Sequence, residues 1–208
     1  TCHFAEVDPP YGIDLHNAKA GKRAFVYTEV SADDYLPFLI EVAQSVYRIL
    51  SDNSFCCWWF GITWYREVRE LLKAVGFKVS DVPAIWVKSG VPGQTFQPSE
   101  ILANSYETFF IIRKGTPALI KQGRSNVFNF PVVTVDTKIH PTEKPLDLML
   151  EIFDTMVYPN GRVIVPFLGS GVTLRACYKR NVVGYGWDLD ENLKRDFLSK
   201  VRQDQEVV

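Results

Sequence analysis

The sequence holds no long apolar run: none approaches the ~20 residues that a membrane-spanning helix needs, and no signal-peptide pattern opens it. Sulfur is sparse. The four cysteines, Cys2, Cys56, Cys57 and Cys177, form no CxxC and no Cys/His pattern with metal-ligand spacing, so no metal is expected and a reducing, cytoplasmic setting is. Charge of either sign is not in excess. A net charge of −1 gives no global attraction for nucleic acid, and any such contact has to come from local patches. There is no internal repeat and no low-complexity tract. What remains is an ordinary globular balance, 47% hydrophobic and 23% charged in 208 residues, enough for one domain with a real core.

Short apolar runs alternate with amphipathic stretches along the chain, the pattern of a mostly parallel sheet with helices on its faces. Strands are expected at His3–Val7, Ser54–Phe60, Val79–Val87, Thr108–Arg113, Arg162–Phe167 and Val182–Asp188, with a shorter ordered run at Phe128–Val135. Helices are expected at Asp33–Leu50, Thr63–Val75, Leu146–Val157, Ser170–Lys179 and Glu191–Val201, and Gly76 stands where a helix C-cap belongs. The Gly- and Pro-containing stretch Lys88–Ser105 reads as a long loop joining two antiparallel strands at a sheet edge. Cys56 and Cys57 point to opposite faces of their strand and read as buried thiols. Trp58, Trp59 and Phe60 read as packing rather than chemistry.

Three motifs fall directly after three of these strands. Asp8-Pro9-Pro10-Tyr11 sets a carboxylate, carbonyls fixed by two prolines and an aromatic face within four residues, which suits a planar group bearing an amine. Phe167-Leu168-Gly169-Ser170-Gly171-Val172-Thr173 is a strand-to-helix turn whose glycines allow close approach of a ligand to helix N–H groups. Asp188 follows the next strand about 20 residues later, the place of the acid that holds ribose hydroxyls in nucleotide-binding α/β folds. Asp190 suits the N-cap of the last helix better. All three motifs lie at the carboxyl edge, where open α/β sheets bind ligands. A dinucleotide oxidoreductase would explain the glycine turn and Asp188 but leaves Asp8–Tyr11 unused, and Leu174 occupies the position of the third fingerprint glycine.

These motifs resemble those of the N6-adenine and N4-cytosine DNA methyltransferases. Asp8–Tyr11 resembles their Asp-Pro-Pro-Tyr catalytic motif, Phe167–Gly171 their Phe-x-Gly-x-Gly cofactor motif, and His140-Pro141-Thr142-Glu143-Lys144-Pro145 their His-Pro-Thr-x-Lys-Pro segment. Ser105-Tyr106-Glu107 and the strand after it are similar to the segment following the family's long loop. The catalytic motif precedes the cofactor motif, as in the permuted β class. Two features differ from the family: Val165 stands where many members carry a carboxylate for the cofactor's methionine amine, and the strand that usually precedes the catalytic one is absent, as though a strand or domain lay upstream.

The resemblance implies a single Rossmann-like S-adenosylmethionine-dependent methyltransferase domain over residues 1–208, a restriction-modification setting, and DNA as partner, with a homodimer or an attached recognition domain completing specificity. It implies Asp8, Pro9, Pro10 and Tyr11 as catalytic residues. Phe167, Gly169, Ser170, Gly171, Thr173 and Asp188 would contact the cofactor, with Thr142 and Lys144 as further contacts; Pro145 suits the first turn of the following helix and Thr142 its cap. Asp at the head of the catalytic motif goes mostly with N6 of adenine. N4 of cytosine, or a module that binds nucleic acid without turnover, are the alternatives. Lys19, Lys22 and Arg23 in one loop are the candidate DNA contacts; Arg113, Lys114, Lys121, Arg124 and Lys138 form a second basic region.

Overall fold

A computed structural model describes residues 1–11, 30–91, 93, 95, 97–134 and 142–206. The chain order is β1 (Cys2–Val7), α1 (Ala32–Ile49), β2 (Leu50–Phe60), a short 3-10 turn (Ile62–Trp64), α2 (Tyr65–Val75), β3 (Ala84–Ser89), β4 (Tyr106–Lys114), β5 (Val127–Pro131), α3 (Leu146–Met156), β6 (Arg162–Val165), α4 (Val172–Lys179), β7 (Val183–Gly186) and α5 (Glu191–Glu206). Among the described residues the strands form one seven-stranded sheet in the order β5-β3-β4-β2-β1-β6-β7. β4 alone runs against the others. The expected β3–β4 hairpin forms, but it is not the edge: β5 adds outside it, parallel to β3.

Alternation along β2 sorts the core into two layers. Cys56, Trp58 and Phe60 face Tyr35, Leu39, Ala43 and Val46 of α1 and Leu72 of α2. Cys57 and Trp59 face Leu148, Ile152 and Phe153 of α3 and Ala176 of α4. Both thiols are buried on opposite faces, as their adjacency requires. Among the described residues no helix is long and apolar enough to cross a membrane.

The boundaries move where local chemistry overrides pattern. β3 starts at Ala84 rather than Val79, because Val82 N–H turns back to Ser80 Oγ (3.2 Å) and Pro83 has no N–H for a ladder. β2 begins early, at Leu50, but its register against β1 shifts between Cys2 and Phe4, beside Asn53 with φ 59°. β6 stops at Val165 ahead of Pro166, and β7 at Gly186. The helix expected from Ser170 starts at Val172, since Gly171 is left-handed. Gly76 caps α2 with φ 115°, as its position suggests. Thr142 does not cap α3; the residue at that N-cap is Pro145, with no side-chain hydrogen bond to the helix.

Two glycines of the β6–α4 turn have left-handed backbones for different reasons. A Cβ on Gly169 (φ 52°) meets nothing within 4 Å, whereas one on Gly171 (φ 75°) would lie 2.2 Å from the Phe197 ring of α5. Gly169→Ala should therefore cost about 1 kcal/mol of left-handed strain. Gly171→Ala adds a clash in packed surroundings and should cost about 2–4 kcal/mol in all. Denaturant melts of the two variants test the difference, and equal losses would contradict the packing of Phe197 on the turn.

Candidate active site

β1 lies between β2 and β6. From β1 the chain runs through α1 to β2 on one side, while β6 runs through α4 to β7 on the other, on the opposite face of the sheet. Such a divergence opens a crevice at the carboxyl ends of the two central strands. Asp8 follows β1 and the glycine turn follows β6, so the two motifs flank that crevice.

Asp8 is three-quarters buried, and both of its oxygens are held. Oδ1 accepts a hydrogen bond from the Tyr11 hydroxyl (2.9 Å), and Oδ2 accepts one from Lys144 Nζ. Lys144 is buried, its ammonium 4.2 Å from the centre of the Trp59 ring and 3.8 Å from Glu107 Oε2. Burial alone would lower the Lys144 pKa, but the facing charges of Asp8, Glu107 and Glu6 outweigh it and hold the pKa above the ordinary lysine value. Lys88 completes the set with an ion pair to Glu107 Oε1 at 2.8 Å. Lys144, expected among the cofactor contacts, thus sits against Asp8, the expected catalytic aspartate. Its neighbour Glu143 is buried and accepts from Lys200 Nζ of α5 at 2.5 Å, while Thr142 is exposed.

The acid at Glu6 is buried too, and no motif points to it. It faces the same side of β1 as Phe4, and Thr173 Oγ1 of α4 donates to its Oε2 at 3.3 Å. The register that pairs Ala5 with Ile164 carries Glu6 alongside Val165 on β6. The sequence does hold a signal for it: a lone Glu inside the apolar run His3–Val7 must point into one packed face or the other. Trp59 is core, as expected, and its ring also floors the Lys144 ammonium.

At the glycine turn, Gly169 N–H donates to Asp188 Oδ2 at 2.7 Å, and Asp190 N–H donates to Asp188 Oδ1 at 2.9 Å. Asp188 therefore ties the turn after β6 to the end of β7, and it remains exposed between Trp187 and Leu189. Ser170 and Thr173 are buried, and Phe167 packs edge-on against Phe38 at 5.9 Å. The donor set suits a nucleoside-bearing cation: an open, left-handed Gly169 where a ligand can approach the backbone, an exposed carboxylate beside it, and a buried carboxylate behind. A separate cavity of about 240 Å³, lined by His3, Phe55, Met156 and Tyr158, opens at the amino edge of these strands, away from the motifs.

The candidate DNA contacts Lys19, Lys22 and Arg23 lie outside the described residues, as do His140, Pro141 and Lys138. Much of the second basic region is committed inside the molecule. Lys114 Nζ donates to the carbonyls of Tyr47 (3.1 Å) and Leu50 (2.6 Å), and Lys121 and Arg124 pair with Glu151 at 2.7 Å and 2.8 Å.

A family model described as DNA methylase, covering the N6/N4 methyltransferases, matches residues 2–199. YubD of Escherichia coli (strain K12), named as a methylase, is 24% identical over 194 residues, covering 92% of this chain and 78% of its own. The solved M1.HpyAVI–SAM complex superposes with a TM-score of 0.69 at 19% identity, covering 96% of this chain and 88% of that one. The PvuII DNA methyltransferase, cytosine-N4-specific, gives 0.70 at 14% identity over 91% and 76%. A DNA modification methylase of Thermus thermophilus, complexed with S-adenosyl-L-methionine, gives 0.65 at 17% over 96% and 84%. The fold is the Rossmann-like S-adenosylmethionine-dependent methyltransferase fold in permuted order, and the chain belongs to the N6/N4 DNA methylase family.

Proposed function

We propose that this protein methylates the exocyclic amine of a base in DNA, N6 of adenine, with S-adenosylmethionine as donor. The observation that carries the reading is the placement of Asp8 and the glycine turn at the carboxyl ends of adjacent strands β1 and β6. S-adenosylmethionine supplies a methyl group made electrophilic by its sulfonium. Gly169, Ser170 and Gly171 would hold it at the start of α4, with Phe167, Thr173 and Thr142 around it, and Asp188 would take its ribose hydroxyls.

The remaining work falls to Asp8 and its neighbours. The amine lone pair of adenine is delocalised into the ring, so the nitrogen is a poor nucleophile until its hydrogens are drawn to one side. Asp8 and the Pro9 carbonyl accept those hydrogens, and Pro10 keeps that carbonyl from turning away. Asp8 would also stabilise the positive charge that develops on nitrogen as the N–C bond forms and the S–C bond breaks. Alignment supplies much of the acceleration. Lys144 and Tyr11 hold the carboxylate, one on each oxygen, and the tyrosine ring would stack on a base turned out of the helix.

Three outcomes are expected. Asp188→Ala should weaken S-adenosylmethionine binding by about 1.5–3 kcal/mol, and unchanged calorimetric affinity in a folded variant would remove Asp188 from the ribose. Replacing Lys22 and Arg23 by neutral residues should lower the log–log salt slope of duplex binding by about 0.9 for each phosphate that is no longer neutralised, and an unchanged slope would put the DNA track elsewhere. Asp8→Ala should abolish transfer while leaving cofactor affinity nearly intact, and Asp8→Asn should also be severely impaired. Mass spectrometry of DNA nucleosides reads both: N4-methylcytosine in place of N6-methyladenine would overturn the base, and full activity in Asp8→Ala would overturn the mechanism.

A further inference from the structure

Among the described residues, the acids and ammoniums around Asp8 do not balance. Glu6, Asp8 and Glu107 are three carboxyl groups, and Lys144 and Lys88 are the described cations that face them. Lys144 bonds Asp8, and Lys88 bonds Glu107. Glu6 is left over. It is 3% exposed; its hydrogen bond from Thr173 is long at 3.3 Å, and the neutral Trp59 side chain beside it supplies no charge. An unbalanced carboxylate in such a place is costly unless it is protonated or meets a cation.

Its position narrows the choice to the two cationic centres of the cofactor, the sulfonium and the ammonium. Glu6 lies on β1 two residues before Asp8 and is bonded to the first turn of α4, so it sits between the amine-accepting motif and the glycine turn. If the cofactor lies along that turn and the base amine at Asp8, the group that must span the interval is the sulfonium centre. We propose that the Glu6 carboxylate is the buried counter-charge for that sulfonium, making the site hold the charged donor in preference to the uncharged thioether left after transfer. The inference rests on the cofactor assignment above and adds a residue and a selectivity to it.

The neighbouring groups allow Glu6 to act in this way near neutrality. Burial, and after it the charge of Asp8, pushes the Glu6 carboxyl up to about 8, against the opposing pull of Lys144 and the Thr173 hydroxyl. The thiols around it, Cys56 and Cys57 of β2 and Cys177 of α4, are all pushed up by burial and remain neutral through this range, while Lys144 remains charged. An arriving cation favours the ionised carboxylate and lowers its pKa, so binding releases the Glu6 proton in the window between that lowered value and about 8. Affinity for a charged ligand therefore rises with pH up to that point and levels off above it. Affinity for a ligand with neutral sulfur does not follow. The two ligands, S-adenosylmethionine and S-adenosylhomocysteine, differ in sulfur charge and, through the pull of the sulfonium, in the acidity of their ammonium. The pH course in wild type relative to Glu6→Gln, where only the ligand titrates, therefore isolates the role of Glu6.

The test is calorimetric titration of the full chain with each ligand separately, from about pH 6.5 to about pH 9. The preference for S-adenosylmethionine over S-adenosylhomocysteine should grow about tenfold over that interval in the wild type. Glu6→Gln should lose this growth while its affinity for S-adenosylhomocysteine stays within about twofold of wild type. A wild-type preference that follows the same pH course as that of Glu6→Gln would overturn the proposal. Equal weakening of both ligands in Glu6→Gln would reduce Glu6 to a structural acid. Wild-type protein that binds neither ligand would overturn the cofactor assignment and this inference with it, whereas binding of both with that shared pH course removes the role of Glu6 alone.

Discussion

The contact between Lys144 and Asp8 is the constraint around which the site is arranged. Sequestering an ammonium this thoroughly is unfavourable, and removing the partner of a buried pair typically costs about 3–5 kcal/mol. Lys144 avoids that cost by reaching Asp8 while standing near Glu107 and over the Trp59 ring. The segment before α3, the end of β1, β4 and β2 are thus held to one another through a single side chain. Glu143 beside it extends the network to α5 through Lys200, and α5 in turn lays Phe197 against Gly171. The acceptor motif and the glycine turn, more than 150 residues apart in the chain, are brought to neighbouring strands and linked by this network.

Position in the sheet and chemistry of the site are coupled by strand parity. Phe4 and Glu6 face α3 and α4, while Ala5 and Val7 face α1 and α2. Beyond Val7 the prolines take the chain out of the ladder, so Asp8 emerges at the edge while Glu6 stays beneath it. One strand end can therefore present a partly exposed acceptor and a fully buried acid two residues apart. A one-residue slip of β1 would exchange its two faces and bury the wrong set.

Fold and motifs are legible in the sequence because each rests on a local rule. Alternating runs mark the strands and amphipathic stretches the helices. Gly76 announces a cap, and the spacing from Gly169 to Asp188 links two loops that do touch, through the Gly169 N–H. Less legible are events decided by distant partners. Nothing local shows that β5 would cover the hairpin edge, because that needs Trp86 Nε1 bonding to the Phe130 carbonyl (2.9 Å) and Asn126 bonding to the Pro83 carbonyl (2.8 Å). Lys144 reads as a cofactor contact because its motif gives a residue type and no direction; which acid it meets depends on how the segment before α3 crosses β1. Glu6 is easily missed since a charge in a strand is commonly a solvent-facing one, and only the helices on both faces of this sheet make that impossible.

The same balance of charge bears on how an acidic site can serve a polyanion. Carboxylates suited to an amine and a sulfonium would repel phosphate if they faced it. Here Lys144 and Lys88 neutralise two of the three acids from within, and Glu6 is enclosed by the core. Charges so paired and buried project little field outward, because their mutual distance is short compared with the distance to a phosphate on the surface. The backbone then experiences chiefly surface cations, and several of those in the described region, Lys114, Lys121 and Arg124, already serve internal partners. On the proposed function, attraction for DNA falls to the surface cations that have no such internal role, in keeping with a net charge of only −1. On that reading, such a site separates the two tasks: base chemistry falls to acids in the crevice, and the hold on the strand to cations outside it.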